Sequence, residues 1–210
     1  MPVASTDDAM EHLLGADPVI AKLVEAQGKL DEEERTRGRP ADAYGALVRS
    51  IVGQQLSTKA ARTIYERLTG LYDGTTPTPE QLIDTDPDDL RAVGLSRAKA
   101  SYLRSLAEHV VSSELELDRL TELADDEVSE QLTAVKGLGQ WTADMFLMFH
   151  LRRPDVLPVG DLGVRRAVEL AYGLEGLPAP AELEQIAEPW RPHRSLASLY
   201  LWRSLDNEPV

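Results

Sequence analysis

The sequence predicts an all-α fold of about ten short helices, folded as one compact domain or as two small lobes sharing a cleft. Three observations carry that expectation. Apolar residues recur at three- and four-residue spacings along most of the 210 residues. The breaks between these stretches carry helix-starting chemistry, in which a Ser, Thr or Asp is followed by Pro or by further acids. Nowhere does an alternating pattern run long enough to make a convincing strand.

In chain order, Asp17-Pro18 supplies a cap and a first-turn proline for an early helix. Residues 42–70 read as two helices, one striped by Leu47, Ile51 and Val52, the other by Ile64 and Leu68. Gly53-Gln54-Gln55-Leu56-Ser57 lies between them, with Ser57 as the second cap. Residues 73–79 form a loop. Thr78-Pro79-Glu80 and Asp86-Pro87-Asp88-Asp89 each open a short helix, the carboxylates favoured at the positive helix end. Gly94 ends the second of these, and Ser96 caps a longer helix carrying Tyr102, Leu103, Leu106 and Val110. A helix over 125–135 meets Lys136-Gly137-Leu138-Gly139-Gln140, and another follows over 141–151. A Pro/Gly-containing loop leads to a helix at 161–172, Pro178 and Pro180 break the chain again, and the last helix covers roughly 193–205.

Composition excludes several chemistries. There is no cysteine, hence no disulfide, thiolate zinc site, cysteine-bound cluster or cysteine nucleophile. The four histidines His12, His109, His150 and His193 show no ligand spacing. No apolar run approaches the roughly 20 residues of a membrane span, and the acidic N-terminus lacks the features of a signal peptide. A soluble, cytoplasmic protein is the expectation. The net charge of −14 argues against broad, nonspecific nucleic-acid binding. The charge is uneven, however. Residues 1–130 hold 14 basic and 26 acidic side chains, while residues 131–210 hold 8 and 10. Arg152, Arg153, Arg165, Arg166, Arg191, Arg194 and Arg203 could form a basic face. The acid-rich stretches at 31–34 and 112–130 read as solvated surface.

The segment Leu132-Thr-Ala-Val-Lys-Gly-Leu-Gly-Gln-Trp-Thr-Ala-Asp144 carries the most chemistry. One apolar helix runs into Gly137-Leu138-Gly139 and another runs out. Glycines permit positive φ and close backbone approach, and the amides that start the second helix suit a phosphate oxygen. Leu138 plugs between the helices. Taken alone, a GxG turn is more often an ordinary helix–helix connection.

Residues 132–149 resemble the helix–hairpin–helix of the DNA glycosylase superfamily, in its 3-methyladenine DNA glycosylase II branch. Three further blocks agree in order: Ile51-Val-Gly-Gln-Gln-Leu-Ser57, Leu157-Pro158-Val159-Gly160-Asp161, and Pro189-Trp190 through Trp202. The likeness spans roughly residues 40–205. It implies two helical lobes with a cleft between them and no N-terminal β domain. The expected division is a helical extension over 1–40, a lobe with a DNA-probing loop over 41–130, and a lobe with hairpin, catalytic loop and C-terminal helices over 131–210.

The resemblance also implies base excision repair. Alkylated purines would be flipped from duplex DNA and their N-glycosidic bond hydrolysed, leaving an abasic site. Asp161 matches the catalytic carboxylate, and its alternative role is helix capping. Arg165, four residues on, is placed to pair with it. Trp141 and Trp202 match aromatic pocket residues, and Met145 stands where a pocket tyrosine occurs in the best-known member. Tyr44 is a further pocket candidate, whereas Trp190 is read as structural. Gln54, Gln55 and Leu56 match the loop that probes the duplex; Gln55 is favoured as the wedge, with Leu56 the alternative. Gly137, Gly139, Thr142, Lys136 and Arg165 are phosphate-binding candidates. The carbonyls of Thr133, Val135 and Leu138 match a monovalent-cation site, no other cofactor being required. Trp141 replaces the nucleophilic lysine of bifunctional relatives, so a monofunctional enzyme is implied. The partner is damaged duplex DNA, with no membrane, and the protein is a monomer acting on the nucleoid. Asp144 is read as a surface or capping group. The competing function is a noncatalytic helix–hairpin–helix DNA-binding module.

Overall fold

The computed structural model describes residues 5–31 and 39–205. Among them the helices, in chain order, are α1 (Thr6–Ala16), α2 (Pro18–Gln27), α3 (Ala43–Gly53), α4 (Thr58–Gly70), α5 (Pro79–Asp84), α6 (Pro87–Ala92), α7 (Arg97–Val111), α8 (Asp125–Ala134), α9 (Gln140–Met145), α10 (Leu162–Tyr172), α11 (Pro180–Ile186) and α12 (Arg194–Ser204). Two 3₁₀ turns, Leu117–Arg119 and Glu188–Trp190, and a π-helical turn, Phe146–His150, complete the regular structure. No strand occurs among the described residues. Part of the acidic run at 31–34 lies outside them.

The chain divides into two compact units. A middle unit covers 38–146, and a terminal unit joins 1–37 to 147–209. These boundaries differ from those read in the sequence, because α8 packs against α9 and α1 and α2 pack with α12. The hairpin therefore belongs to the middle unit, and the N-terminal helices share a unit with the C-terminal ones.

In the middle unit, α3 buries Leu47, Val48, Ile51 and Val52 completely, and α7 does the same with Leu103, Leu106 and Ala107. The capping expected from sequence is present. Ser57 accepts from the Ala60 amide, Ser96 from Lys99, and Asp86 from Asp88, while Thr78 and Gln81 form a reciprocal box. Each such cap contributes about 1 kcal/mol. The helix expected over 141–151 begins at Gln140 and loosens after Met145 into the π-helical turn. Such turns mark local departures from i→i+4 pairing.

In the terminal unit, α12 is buried around its circumference: all eight residues from Ser195 to Trp202 are buried. α2, α10 and α1 pack on it. Asp17 ties this unit together. Its Oδ1 caps α2 through the Val19 and Ile20 amides, and its Oδ2 accepts from the Tyr172 hydroxyl and, at 2.9 Å, from Trp190 Nε1. Burial pushes the Asp17 carboxyl upward. The Tyr172, Trp190, Val19 and Ile20 donors outweigh it and hold the group below the usual carboxylate range. Trp190 is completely buried, in keeping with a structural role.

Candidate active site

The loop 151–160 delivers Asp161 to the N-terminus of α10, where it is the capping residue. Its Oδ1 accepts from the Val164 amide at 2.8 Å and from Trp202 Nε1 at 2.8 Å. Both of these groups donate, and the carboxylate oxygen accepts. Asp161 is 9% exposed, and Trp202 is 1% exposed with its ring stacked on Phe149 at 6.1 Å. Capping and a reactive role are therefore compatible in one side chain. Trp202, expected as a pocket wall, directs its indole N–H at the carboxylate.

Gly163 makes that approach possible. A Cβ there would lie 3.0 Å from both Asp161 Oδ1 and Trp202 Cδ1. Sequence reasoning missed Gly163, because the contact that demands a glycine comes from a residue far along the chain. Arg165 does not pair with Asp161. Its Nε–H donates to the Pro178 carbonyl at 2.9 Å, which turns the guanidinium toward the segment before α11. The basic face is also reduced. Arg191 and Arg194 both bind Asp155, and Arg166 pairs with Glu169.

In the middle unit, the α8–α9 turn has the expected form. Gly137 has φ +93°, and a Cβ there would overlap the Tyr102 ring 2.1 Å from Cγ. Leu138 is buried, and Gly139 caps α9 with no side-chain cap, its carbonyl accepting from the Thr142 and Ala143 amides. Lys136 is exposed, its Nζ 3.4 Å from Ser101 Oγ. Thr142 departs from expectation. It is 3% exposed, where a residue at the surface of the turn was expected. Asp144, read as surface or capping, is buried and accepts from Gln140 Nε2 at 2.8 Å.

The turn after α3 is braced from two directions. Gln54 Nε2 donates to the Gly137 carbonyl at 2.9 Å, and Lys99 Nζ donates to the Val52 carbonyl at 2.8 Å. Burial lowers the Lys99 pKa. Gln54 thus ties this turn to the hairpin. The Leu56 amide closes the turn onto the Gly53 carbonyl, and Gln55 sits at the tip with φ +58°, exposed. A non-glycine residue in this left-handed conformation costs roughly 1 kcal/mol. Leu56 is half-buried.

Of the remaining candidates, Trp141 is half-buried in the first turn of α9 and Met145 is buried at its end. Tyr44 is buried with its hydroxyl unbonded, and burial first, then Glu80, raises its pKa. The Thr133 and Val135 carbonyls lie at the C-terminal end of α8, where carbonyls lack the i+4 donor. Val135 accepts the Leu138 amide and keeps a second lone pair. Neutral carbonyl oxygens are the donor type a monovalent cation would take.

The profile of the HhH-GPD superfamily of base excision DNA repair proteins matches residues 48–192, well over half the chain. DNA-3-methyladenine glycosylase 1 of Schizosaccharomyces pombe is 34% identical over 204 residues, covering 96% of this chain and 89% of that protein. The solved structure of the S. pombe 3-methyladenine DNA glycosylase in complex with abasic DNA superposes with a TM-score of 0.85 at 33% identity, over 95% and 97% of the two chains. The DNA-3-methyladenine glycosidase of Bacillus halodurans superposes with a TM-score of 0.82 at 38% identity, over 97% and 92%.

Proposed function

The chain belongs to the HhH-GPD superfamily of base excision DNA repair proteins, and we propose that it is a monofunctional DNA glycosylase that removes alkylated purines of the 3-methyladenine and 7-methylguanine type. The observation that carries the reading is the buried Asp161 carboxylate, fixed on one oxygen by the α10 amide and the Trp202 indole. Alkylation at a ring nitrogen makes the purine cationic, so it leaves as a neutral base with the electrons of the C1′–N bond. Asp161 stabilises the positive charge that develops on the sugar. Water adds its oxygen to C1′ and gives up a proton to the carboxylate or to solvent, which leaves an abasic site. With Trp141 at the position of the lysine nucleophile, no Schiff base forms at that residue.

Trp141, Met145 and Tyr44 supply the aromatic and apolar contacts for the flipped base, and an electron-poor base favours aromatic faces. Gln55 intrudes into the duplex, a role supported by its exposed, left-handed position at the turn tip. Gly137, Gly139 and Lys136 hold phosphate, and a monovalent cation on the carbonyls of Thr133, Val135 and Leu138 would add positive charge beside it. The protein acts on damaged duplex DNA of the nucleoid as a monomer. No helix among the described residues is long and apolar enough to cross a membrane.

The test is release of 3-methyladenine and 7-methylguanine from methylated duplex. Asp161→Asn abolishes release while binding to abasic-site duplex persists. Intact DNA binding without base release by the wild-type chain would establish the noncatalytic module instead.

A further inference from the structure

The loop that carries Asp161 is held by α12 at two places, and the network at the first place has no part in capping or chemistry. Ser195 uses its single hydroxyl twice: it donates to the Arg153 carbonyl at 2.7 Å and accepts from the Val156 amide at 3.0 Å. Its own amide donates to the Pro154 carbonyl at 3.0 Å. Next to it, Arg194 forks Asp155, with Nε to Oδ1 at 2.7 Å and Nη2 to Oδ2 at 3.0 Å, and its Nη2 also donates to the Asp155 carbonyl at 2.7 Å. Arg191 Nη1 adds a contact to Asp155 Oδ2 at 2.7 Å. Residues 153–156 are thereby fastened to the first turn of α12.

Trp202, which bonds Asp161, lies seven residues after Ser195. Seven residues make two turns, so the two side chains share a face of one rigid helix about 10 Å apart along its axis. Between the fastened segment and the carboxylate only residues 157–160 intervene, and they are themselves folded by the Val159 amide on Leu157 O and the Asp161 amide on Pro158 O. From this we infer that Ser195, Arg194 and Asp155 are positioning residues for Asp161. α12 acts as a ruler that sets where the carboxylate stands, one end gripping the root of the loop and the other gripping the carboxylate itself. The inference rests on Asp161 being the catalytic carboxylate. Displacement of a reacting group by about 1 Å costs on the order of 100-fold in rate, so partial release of the loop is expected to cost about tenfold.

The experiment compares Ser195→Ala, Asp155→Asn, Arg194→Lys and Trp202→Phe, each assayed well below its own Tm for single-turnover base release and for Kd on abasic-site duplex. Ser195→Ala and Asp155→Asn are each expected to slow release about tenfold with Kd within about twofold of wild type. Arg194→Lys keeps the charge without the fork and falls between. Ser195→Ala combined with Trp202→Phe loses less than the product of the single effects, since both act on one loop. Should Ser195→Ala fail to fold, Asp155→Asn decides. Wild-type release rates in the folded variants, or rate losses matched by equal losses in binding, would overturn the inference. Asp161→Asn separates the premise: if it releases base normally, the catalytic reading fails regardless of the clamp.

Discussion

Asp161 shows how one side chain can hold a structural place and, in the proposed reaction, a chemical one. It caps α10 and accepts the Trp202 indole on the same oxygen. Its neighbour Gly163 gives a sharp test. Alanine there gains helix propensity of up to about 1 kcal/mol, yet its Cβ would press on both Asp161 and Trp202. Gly163→Ala is expected to leave Tm unchanged or slightly raised while single-turnover base release falls; thermal melts alongside kinetics check it. At the turn tip, Gln55→Gly relieves a left-handed φ and removes the side chain proposed to intrude into the duplex. Tm should rise by an amount corresponding to about 0.5–1 kcal/mol as activity on duplex falls. Asp17 offers a pH signature. Its folded pKa lies below the unfolded value, so its contribution is fully present above the unfolded pKa, near the ordinary carboxylate range, and is lost as pH falls through the folded pKa. Asp17→Asn should cost about 1–3 kcal/mol near neutrality, and the gap in stability from wild type should narrow on acidification below about pH 4. Denaturant titrations across pH measure this directly.

Among the elements, the α8–α9 hairpin and the turn after α3 behave as one braced assembly within the middle unit, linked by Gln54 and the Gly137 carbonyl. Gly137 combines positive φ with the Tyr102 ring against its Cα. Gly137→Ala is expected to destabilise by roughly 2–4 kcal/mol, with DNA affinity falling in the fraction that remains folded; chemical denaturation and binding assays at low temperature distinguish the two losses. Much of this was legible beforehand. The glycine spacing located the hairpin, and Asp-Pro, Thr-Pro and Ser signals located helix starts to within a residue or two, because caps are satisfied by residues two or three positions away. Tyr102, Lys99 and the strut role of Gln54 were not legible. Their partners lie 35, 47 and 83 residues distant, and no local pattern encodes such approaches.

For the whole molecule, net charge −14 requires that DNA be held by few cations. With Arg191 and Arg194 committed to Asp155 and Arg166 to Glu169, the dependence of log K on log salt should be shallow, with a slope no steeper than about −4. A slope near −8, from titration at several salt concentrations, would contradict this. The all-α class followed from periodicity, and Asp161 was singled out through the family resemblance that four ordered motifs carry, all properties of short stretches of chain. The division into units did not follow, nor did the burial of Thr142 and Asp144 or the turning of Arg165 to Pro178. Periodicity says which face of a helix is apolar but not which other helix will cover it. That choice is made by packing between distant segments, and in this protein it joined the first helices to the last and set the Trp202 indole against the carboxylate.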